Sequence, residues 1–326
     1  GGVESSIVNL VEELAKLGHK VSVRNMCRES RIIAGVDWAP LFLNDKYNIP
    51  KTADLYIANR GDKLIGLMPE ARRTVFWIHN PAQYLLKWRY LSKLWRFKPA
   101  IIFIGNYHAT TYPSWAPGGD RIVIPYGISE EFCKYVPRKD LPPRRAIFTS
   151  NPLRSLDWLL KIWVDCIHPE ATDAELHLFS GSATYGKTGA EKNLLMEEVL
   201  DKARAYKDQG IVLRGPVSKP KLIEEFREAR VMLYRGDLNE TFCLAVGEAQ
   251  AAGVPAVVQN LGSVVERVID QETGAIVTTN SDFVTSAIEL LNDDIVWWRQ
   301  HNTALAKQGL WSWGKAAKAF EELIII

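Results

Sequence analysis

The chain has 326 residues, 47% of them apolar and 24% charged, with four cysteines and a formal net charge of +2. Those proportions describe a folded globular protein with room for two domains, and they exclude a disordered or low-complexity chain. The cysteines (Cys27, Cys133, Cys166 and Cys243) are widely spaced with no CxxC pair, which excludes a disulfide scaffold and fits a reducing compartment; no apolar run is long enough to cross a bilayer and no signal peptide is visible, so a cytoplasmic location is expected.

The first predicted element is an amphipathic helix with Val3, Ile7, Leu10, Val11, Leu14 and Leu17 on one face and Gly18 as its stop. Gly1 and Gly2 precede it, and glycines ahead of a helix allow a phosphate or sugar to approach the backbone closely. Short apolar runs at Val21–Val23, Leu55–Ala58, Val75–Ile78, Ile101–Ile104 and Ile122–Ile124 read as buried strands. His79 ends the third of these, which places it at the carboxyl tip of a strand, where site residues collect. The segment Gln83–Lys98 holds five basic residues and no acid; on a helical wheel Tyr84, Trp88, Leu91 and Trp95 share one face, and Arg89, Lys93 and Arg96 the opposite one. Such a helix suits an anionic membrane or an anionic acceptor, or it packs its stripe on a sheet and leaves the basic face solvated. Residues 1–130 carry 17 Lys+Arg against 11 Asp+Glu, a net of +6, whereas the remainder is net −4 with 23 against 27. An anionic partner is therefore expected at the first half only, and the balance is too modest for nucleic acid.

A linker is predicted at Lys134–Arg145, rich in proline and charge. Beyond it apolar runs recur at Ala146–Phe148, Leu176–Phe179, Ile211–Leu213, Val231–Leu233, Ala256–Val258 and Ala275–Val277. Strands alternating with helices along the whole chain predict two doubly wound α/β domains built on parallel sheets, with ligands at the carboxyl ends of the strands. Arg154 follows the first strand of this half at the start of a helix, and Arg214-Gly215-Pro216-Val217 follows the third.

The most informative stretch is Asn239–Val258. It spans a loop, a helix of small and apolar residues from Cys243 to Ala252, a stop at Gly253 and Pro255, and a short strand. Glu240 lies in the loop just ahead of the helix N-terminus and Glu248 on its second turn. The unpaired amides at that N-terminus favour a phosphate, and small residues leave room for something bulky. Carboxylates accept hydrogen bonds from sugar hydroxyls, so the stretch suits a ligand with hydroxyls at both ends and a diphosphate between them. Asn239-Glu240-Thr241 also matches a glycosylation acceptor, but a glycan there would block the site, and the match is read as accidental.

This stretch resembles the nucleotide-sugar signature of retaining GT-B glycosyltransferases, in particular family 4 (glycosyl transferases group 1). The resemblance implies a GT-B fold: two facing Rossmann-like domains with an interdomain cleft, residues 1–130 on the acceptor side and 146–308 on the donor side, joined by a linker at 131–145. A final helix within 309–326, after Trp311-Ser312-Trp313, would return to the first domain. Family members open with a strand, so the first strand is expected to be missing ahead of Gly1. By the same resemblance Glu240 meets the donor sugar, Glu248 holds the ribose hydroxyls, and the amides of Phe242, Cys243 and Leu244 face the diphosphate. Gly1 and Gly2 match the first loop, and Arg214, Gly215 and Val217 the loop that reads the base. His79 matches the cleft histidine, to which a positioning role is assigned. Arg154 matches the second of two diphosphate-gripping basic residues; the first is absent, with Asn151 nearest in register, and Ser155 replaces a glycine. Pro125-Tyr126-Gly127 matches a turn in which Tyr126 replaces asparagine, and Gly262, Glu266, Thr273 and Gly274 match the signature's tail.

The expected reaction is a retaining transfer from a UDP- or GDP-sugar to a glycan, lipid-linked or small-molecule acceptor, as in cell-surface polysaccharide or glycolipid synthesis. In a front-face mechanism Arg154 and the helix end stabilise the leaving diphosphate. With no DxD motif, neither a metal nor any other cofactor is expected. Trp88, Arg89, Lys93, Trp95 and Arg96 are the candidates for acceptor or membrane contact, the latter at the inner face of the membrane. Two other readings stay open: a same-fold sugar-nucleotide epimerase or hydrolase, and a non-catalytic scaffold that binds a partner through the basic helix. A nicotinamide-dependent oxidoreductase is disfavoured because no GxGxxG follows any strand.

Overall fold

The computed structural model describes residues 2–134, 138–181 and 190–325. The chain divides into two compact units, one made of Gly2–Gly127 with Trp311–Ile326 and the other of Ile128–Leu310.

The amino-terminal unit opens on helix α1 (Gly2–Lys16), which buries Leu10, Val11 and Leu14 and ends at Gly18 in a left-handed conformation. Leu17 lies beyond the last turn and is exposed, so it leaves the expected apolar face. Strand β1 (Val21–Asn25) is followed by β2 (Arg31–Ile33), β3 (Val36–Pro40) and the short pair β4 (Phe42–Leu43) and β5 (Lys46–Tyr47). β1 pairs with β3 in parallel and β2 with β3 antiparallel, forming a small sheet of their own. The main sheet consists of β6 (Ala53–Asn59), β7 (Ala71–Trp77), β8 (Ala100–Phe103) and β9 (Arg121–Val123), all parallel and in chain order, with α2 (Trp88–Phe97) after β7 and α3 (Asn106–Thr110) after β8. Ala58, Phe76, Ile78, Ile101 and Phe103 form one core with Leu85, Tyr90 and Leu94. Trp77 points the other way and meets Phe320 edge to face at 5.3 Å. Phe320 belongs to the last helix (Trp313–Ile325), which packs on α1, β6 and β7. Gly127 permits that return: a Cβ there would sit 2.1 Å from the Trp313 nitrogen.

The carboxy-terminal unit contains α4 (Glu130–Cys133), β10 (Arg145–Phe148), α5 (Leu156–Ile162), β11 (Glu175–Leu178), α6 (Ala190–Ala205), β12 (Ile211–Leu213), α7 (Lys219–Arg227), β13 (Val231–Tyr234), α8 (Leu244–Ala251), β14 (Ala256–Gln259), β15 (Gly274–Val277), α9 (Asn280–Asn292) and α10 (Asp294–Ala306); the helix at Trp313–Ile325 is α11. Its sheet is wholly parallel in the order β12-β11-β10-β13-β14-β15. The chain thus lays strands outward from β10 in one direction, returns to the centre at β13, and builds outward in the other. That is the doubly wound order, and it opens a crevice at the carboxyl ends of β10 and β13, where the two winding directions part. Strands buried on both faces must be apolar throughout, and β13 and β14 are buried at every position. All eleven strands expected from apolar runs are present. The four unexpected ones, β2 to β5, lie in Arg31–Tyr47; β2, β4 and β5 are exposed throughout, whereas β3 buries Val36 and Ala39. Gly253, at φ 76°, ends α8 where any Cβ would strike Leu305 at 2.6 Å. Among the described residues no helix is long and apolar enough to cross a membrane.

Candidate active site

Two loops meet at the switch point of the carboxy-terminal sheet. After β10 the chain turns on Asn151, whose Oδ1 accepts from the Leu153 amide at 2.8 Å and whose carbonyl accepts from the Arg154 amide at 2.8 Å. Ser155, the position where a glycine is usual, adopts φ 61° and caps α5. Its hydroxyl donates to the Gly236 carbonyl at 3.2 Å, so the polar side chain is anchored where glycine would be unstrained. After β13, Asp237 shapes the second loop by accepting from the Asn239 amide at 2.7 Å through its Oδ1 and from the Glu240 amide at 3.0 Å through its carbonyl. Arg154 joins the loops through an ion pair with Asp237 Oδ1 at 2.6 Å.

Glu240 is half-buried beside this pair and accepts from the Tyr234 hydroxyl at 2.6 Å. Burial raises its pKa above the ordinary carboxylate value, while the Tyr234 hydrogen bond and the Arg154 charge pull the other way. Burial also works against the Arg154 charge, but Glu240 and Asp237 outweigh it, so its pKa is raised and the guanidinium is fixed. One cation, two carboxylates and a buried phenol therefore converge at the carboxyl ends of β10 and β13.

Helix α8 rises from the same loop. Phe242 and Cys243 are buried, Leu244 is half-buried, and Cys243 takes φ 67° as the cap residue. That left-handed turn reorients the chain so that α8 starts directly after the loop, with its first-turn amides lacking partners inside the helix. The Cys243 thiol is pushed well above its usual pKa by burial, which keeps it neutral and inert. Glu248 is on the second turn, half-buried, and ionises only near 7; burial is the larger cause and Lys219 partly offsets it. α8 buries Val246, Gly247, Ala249, Gln250 and Ala251, and Gln250 secures it by donating to the carbonyls of Val254 at 3.0 Å and Thr273 at 2.8 Å. A Cβ on Gly247 would lie 2.7 Å from Ile128 Cδ1, so the small residue there serves close packing inside the unit and not the open space expected of it.

The loop after β12 places Arg214 at the sheet's edge, 3.8 Å from Glu225. Gly215, at φ 71°, has open space where a Cβ would be, and Val217 is 37% exposed. These residues are accessible, but among the described residues none of them makes a hydrogen bond or ion pair to Arg154 or Glu240. Gly262 takes φ 70°, and Arg267, five residues on, lays its buried guanidinium 4.0 Å from the Phe242 ring centroid. Burial lowers the Arg267 pKa to about 10, which leaves it charged at neutral pH. Asp237, Tyr234 and Arg267 were not anticipated from sequence. Their signal is the fold itself, since each belongs to a segment distant from its partner or carries no motif of its own.

In the amino-terminal unit His79 is 3% exposed and engaged on both ring nitrogens. Nε2 meets Asn59 Oδ1 at 2.5 Å, and Nδ1 pairs with the Tyr126 hydroxyl. An amide oxygen can only accept, so Nε2 carries the proton and Nδ1 accepts from Tyr126. Burial, with Arg60 as the next cause, drives the His79 pKa to about 3, and the ring is neutral across the physiological range. Tyr126 thus occupies a partner position on His79 that the sequence did not disclose. Gly2 is exposed and is the first residue of α1, not part of a preceding loop; Gly1 lies outside the described residues.

The basic segment departs from its helical wheel. Ala82–Leu86 is a 3₁₀ turn, Lys87 is extended, and α2 begins only at Trp88, so Tyr84 is not on the same helix as Trp95. The buried pair is Tyr90 and Leu94, one turn apart, whereas Trp88 is 80% and Trp95 72% exposed. Arg89 and Lys93 face Asp62 at 3.9 and 3.8 Å, and Arg96 lies over the Phe97 ring. The tryptophan stripe therefore does not pack on the sheet.

Comparison with known proteins agrees with this fold. Residues 145–293 match the family model described as glycosyl transferases group 1. No curated protein matches the chain. Among solved structures, the sucrose-phosphate synthase of Thermosynechococcus elongatus is 16% identical, with a TM-score of 0.76 over 99% of this chain and 92% of its own. A glycosyltransferase from Rickettsia africae is 13% identical, with a TM-score of 0.70 over 99% and 94%. HepE from Anabaena, solved with UDP-glucose, is 16% identical with a TM-score of 0.63 over 82% and 78%. The chain spans about half the length of TarM (54%), another match. Both units are of the Rossmann-like kind found in the GT-B fold class, and the chain resembles the group 1 glycosyltransferases.

Proposed function

We propose that this chain is a retaining glycosyltransferase that takes its sugar from a nucleoside-diphosphate sugar. The observation that carries the reading is the meeting of Arg154 with the Asp237–Glu240 loop at the switch point of the carboxy-terminal sheet, with Glu248 on the second turn of the helix that follows. Glu248 would accept from the two ribose hydroxyls, and Glu240, steadied by Tyr234, from the donor sugar. Arg154 and the first-turn amides of α8 would receive the diphosphate. As the glycosidic bond breaks, negative charge grows on the leaving phosphate, and a fixed cation with preorganised amides stabilises it without reorganising. The departing phosphate then takes the acceptor's proton while the new bond forms on the face it vacates, which retains configuration and requires no enzymic nucleophile. Arg267, behind Phe242, adds a second positive charge to the field at this loop. His79, neutral and locked in one tautomer, suits a positioning role better than that of a base. Arg214, Gly215 and Val217 would read the base. HepE has been solved with UDP-glucose, which makes UDP-sugars the first donors to test. The acceptor would be a glycan or lipid-linked sugar received by the amino-terminal unit, with α2 as the contact to an anionic membrane at its cytoplasmic face.

A thermal-shift panel of UDP, GDP, ADP and their sugars tests the reading. One nucleotide should raise the melting temperature in proportion to the logarithm of its concentration. A flat panel would favour a non-catalytic scaffold. The observation on that side is that Arg154 already spends its charge on Asp237 at 2.6 Å.

A further inference from the structure

The amino-terminal unit carries an unassigned cation at the tip of its sheet. Arg60 follows directly on β6, whose last residue, Asn59, holds His79. Its φ is 62°, a left-handed conformation that a side chain bearing a Cβ adopts only under strain. The backbone is pinned there from both sides: the Arg60 amide donates to the Trp77 carbonyl at 3.1 Å, and its carbonyl accepts from the Tyr90 hydroxyl at 3.4 Å. Gly61 comes next and would adopt such a φ freely, yet the left-handed position holds an arginine. The guanidinium is exposed and makes no hydrogen bond or ion pair to any described residue. Tyr84, half-buried and edge-on to Tyr90 at 5.2 Å, also makes no hydrogen bond through its hydroxyl among the described residues. Arg60 is felt electrostatically by His79, Tyr84 and Tyr126, and more weakly by Glu4 on the first turn of α1. The carboxyl ends of parallel strands are where such folds receive ligands.

We propose that Arg60 forms an anion subsite at the carboxyl tips of β6 and β7, which holds a phosphate or carboxylate borne by the acceptor. A planar guanidinium with five donors suits either group. The word acceptor rests on the glycosyltransferase reading; the anion subsite itself does not. His79 stays neutral next to it, so the site offers one positive charge and selects a singly charged or phosphomonoester group over a neutral sugar.

Inorganic phosphate titrated calorimetrically into the full chain is the direct test, with Arg60→Gly, Arg60→Lys and Arg154→Ala alongside. Glycine at 60 accepts φ 62° without strain, so Arg60→Gly should fold at least as stably as the original while losing tenfold or more in phosphate affinity. Arg60→Lys should stay within a few-fold, and Arg154→Ala should keep the Arg60-dependent phase. Phosphate binding that is equal in the original chain and Arg60→Gly, or lost only in Arg154→Ala, would overturn the subsite. UDP binding, measured on the same proteins, separates the two readings. If UDP binds while Arg60→Gly leaves phosphate unchanged, only this inference falls; if phosphate binds through Arg60 but no nucleotide does, only the donor reading falls. Glycerol 3-phosphate and vesicles of phosphatidylglycerol against phosphatidylcholine then distinguish a soluble from a lipid-borne phosphate.

Discussion

Replacing Glu248 by glutamine should move stability and donor affinity in opposite directions. The carboxyl ionises near 7 in the folded chain instead of at 4.5, chiefly because it is taken out of water. A folded-state pKa that is raised means the folded chain holds the proton more tightly between those two values. The resulting penalty is absent below 4.5, grows as the pH rises, and is complete above 7. At 1.36 kcal/mol per tenfold change in acidity it approaches about 3 kcal/mol at pH 8, and partial exposure of the side chain brings it nearer 2. Glu248→Gln removes the charge while keeping the shape, so its urea midpoint should rise at pH 8 and barely change at pH 5. Binding follows the reverse course. Two ribose hydroxyls donating to a carboxylate are worth roughly 1.5–3 kcal/mol more than the same contacts to an amide, a 10- to 100-fold loss of nucleotide affinity. The original chain should itself bind its nucleotide about tenfold more weakly at pH 6 than at pH 8, and the variant should show no such dependence. Equal urea midpoints for both proteins at pH 8 would show that the carboxyl is not strained by burial. A stabilised variant with unchanged affinity would remove Glu248 from the ribose.

Three further expectations concern Arg154, His79 and Tyr126. Arg154→Ala should weaken binding of a nucleoside diphosphate by about 1.5–3 kcal/mol and of the bare nucleoside hardly at all, because the lost contact is to phosphate; calorimetry with both ligands checks it, and equal losses would place Arg154 elsewhere. The His79 ring should show no titration by NMR between pH 5 and 9, since its pKa lies near 3; Tyr126→Phe, which leaves Nδ1 without its donor, should cost about 1–2 kcal/mol of stability in urea without restoring titration in that range.

The strands were legible because a parallel strand buried on both faces is a continuous apolar run, and such runs need no knowledge of the partner strand. β3 buries only Val36 and Ala39 of its five residues, and β2, β4 and β5 offered no contrast at all. Ile32 is 80% exposed, and the two-residue strands β4 and β5 expose all four of their side chains, so their apolar letters report no core. The helical wheel at Gln83–Lys98 failed for a related reason. It assumed one unbroken period of 3.6, but the 3₁₀ turn at Ala82–Leu86 and the extended Lys87 reset the phase, and α2 then buried Tyr90 and Leu94. Composition alone could not locate that break, because neither glycine nor proline marks it.

The site divides along the same line. Glu240, the α8 start and Glu248 lie within ten residues, so their spacing in sequence fixes their spacing in the fold. Asp237 is only three residues from Glu240, yet its importance comes from Arg154, 83 positions earlier, which reaches it only because β10 and β13 are neighbours in the sheet. His79 shows the same dependence: Asn59 and Tyr126 are 20 and 47 residues away and are joined to it by strand order alone. Local chemistry therefore nominates residues for a ligand, whereas topology decides their charge state. The neutral histidine, the paired arginine and the reluctant Glu248 are all set by burial and by partners from other strands. It follows that a variant preserving the Glu240–Glu248 spacing but separating β10 from β13 would keep the motif and lose the ion pair that joins the loops, and with it the fixed setting of Glu240.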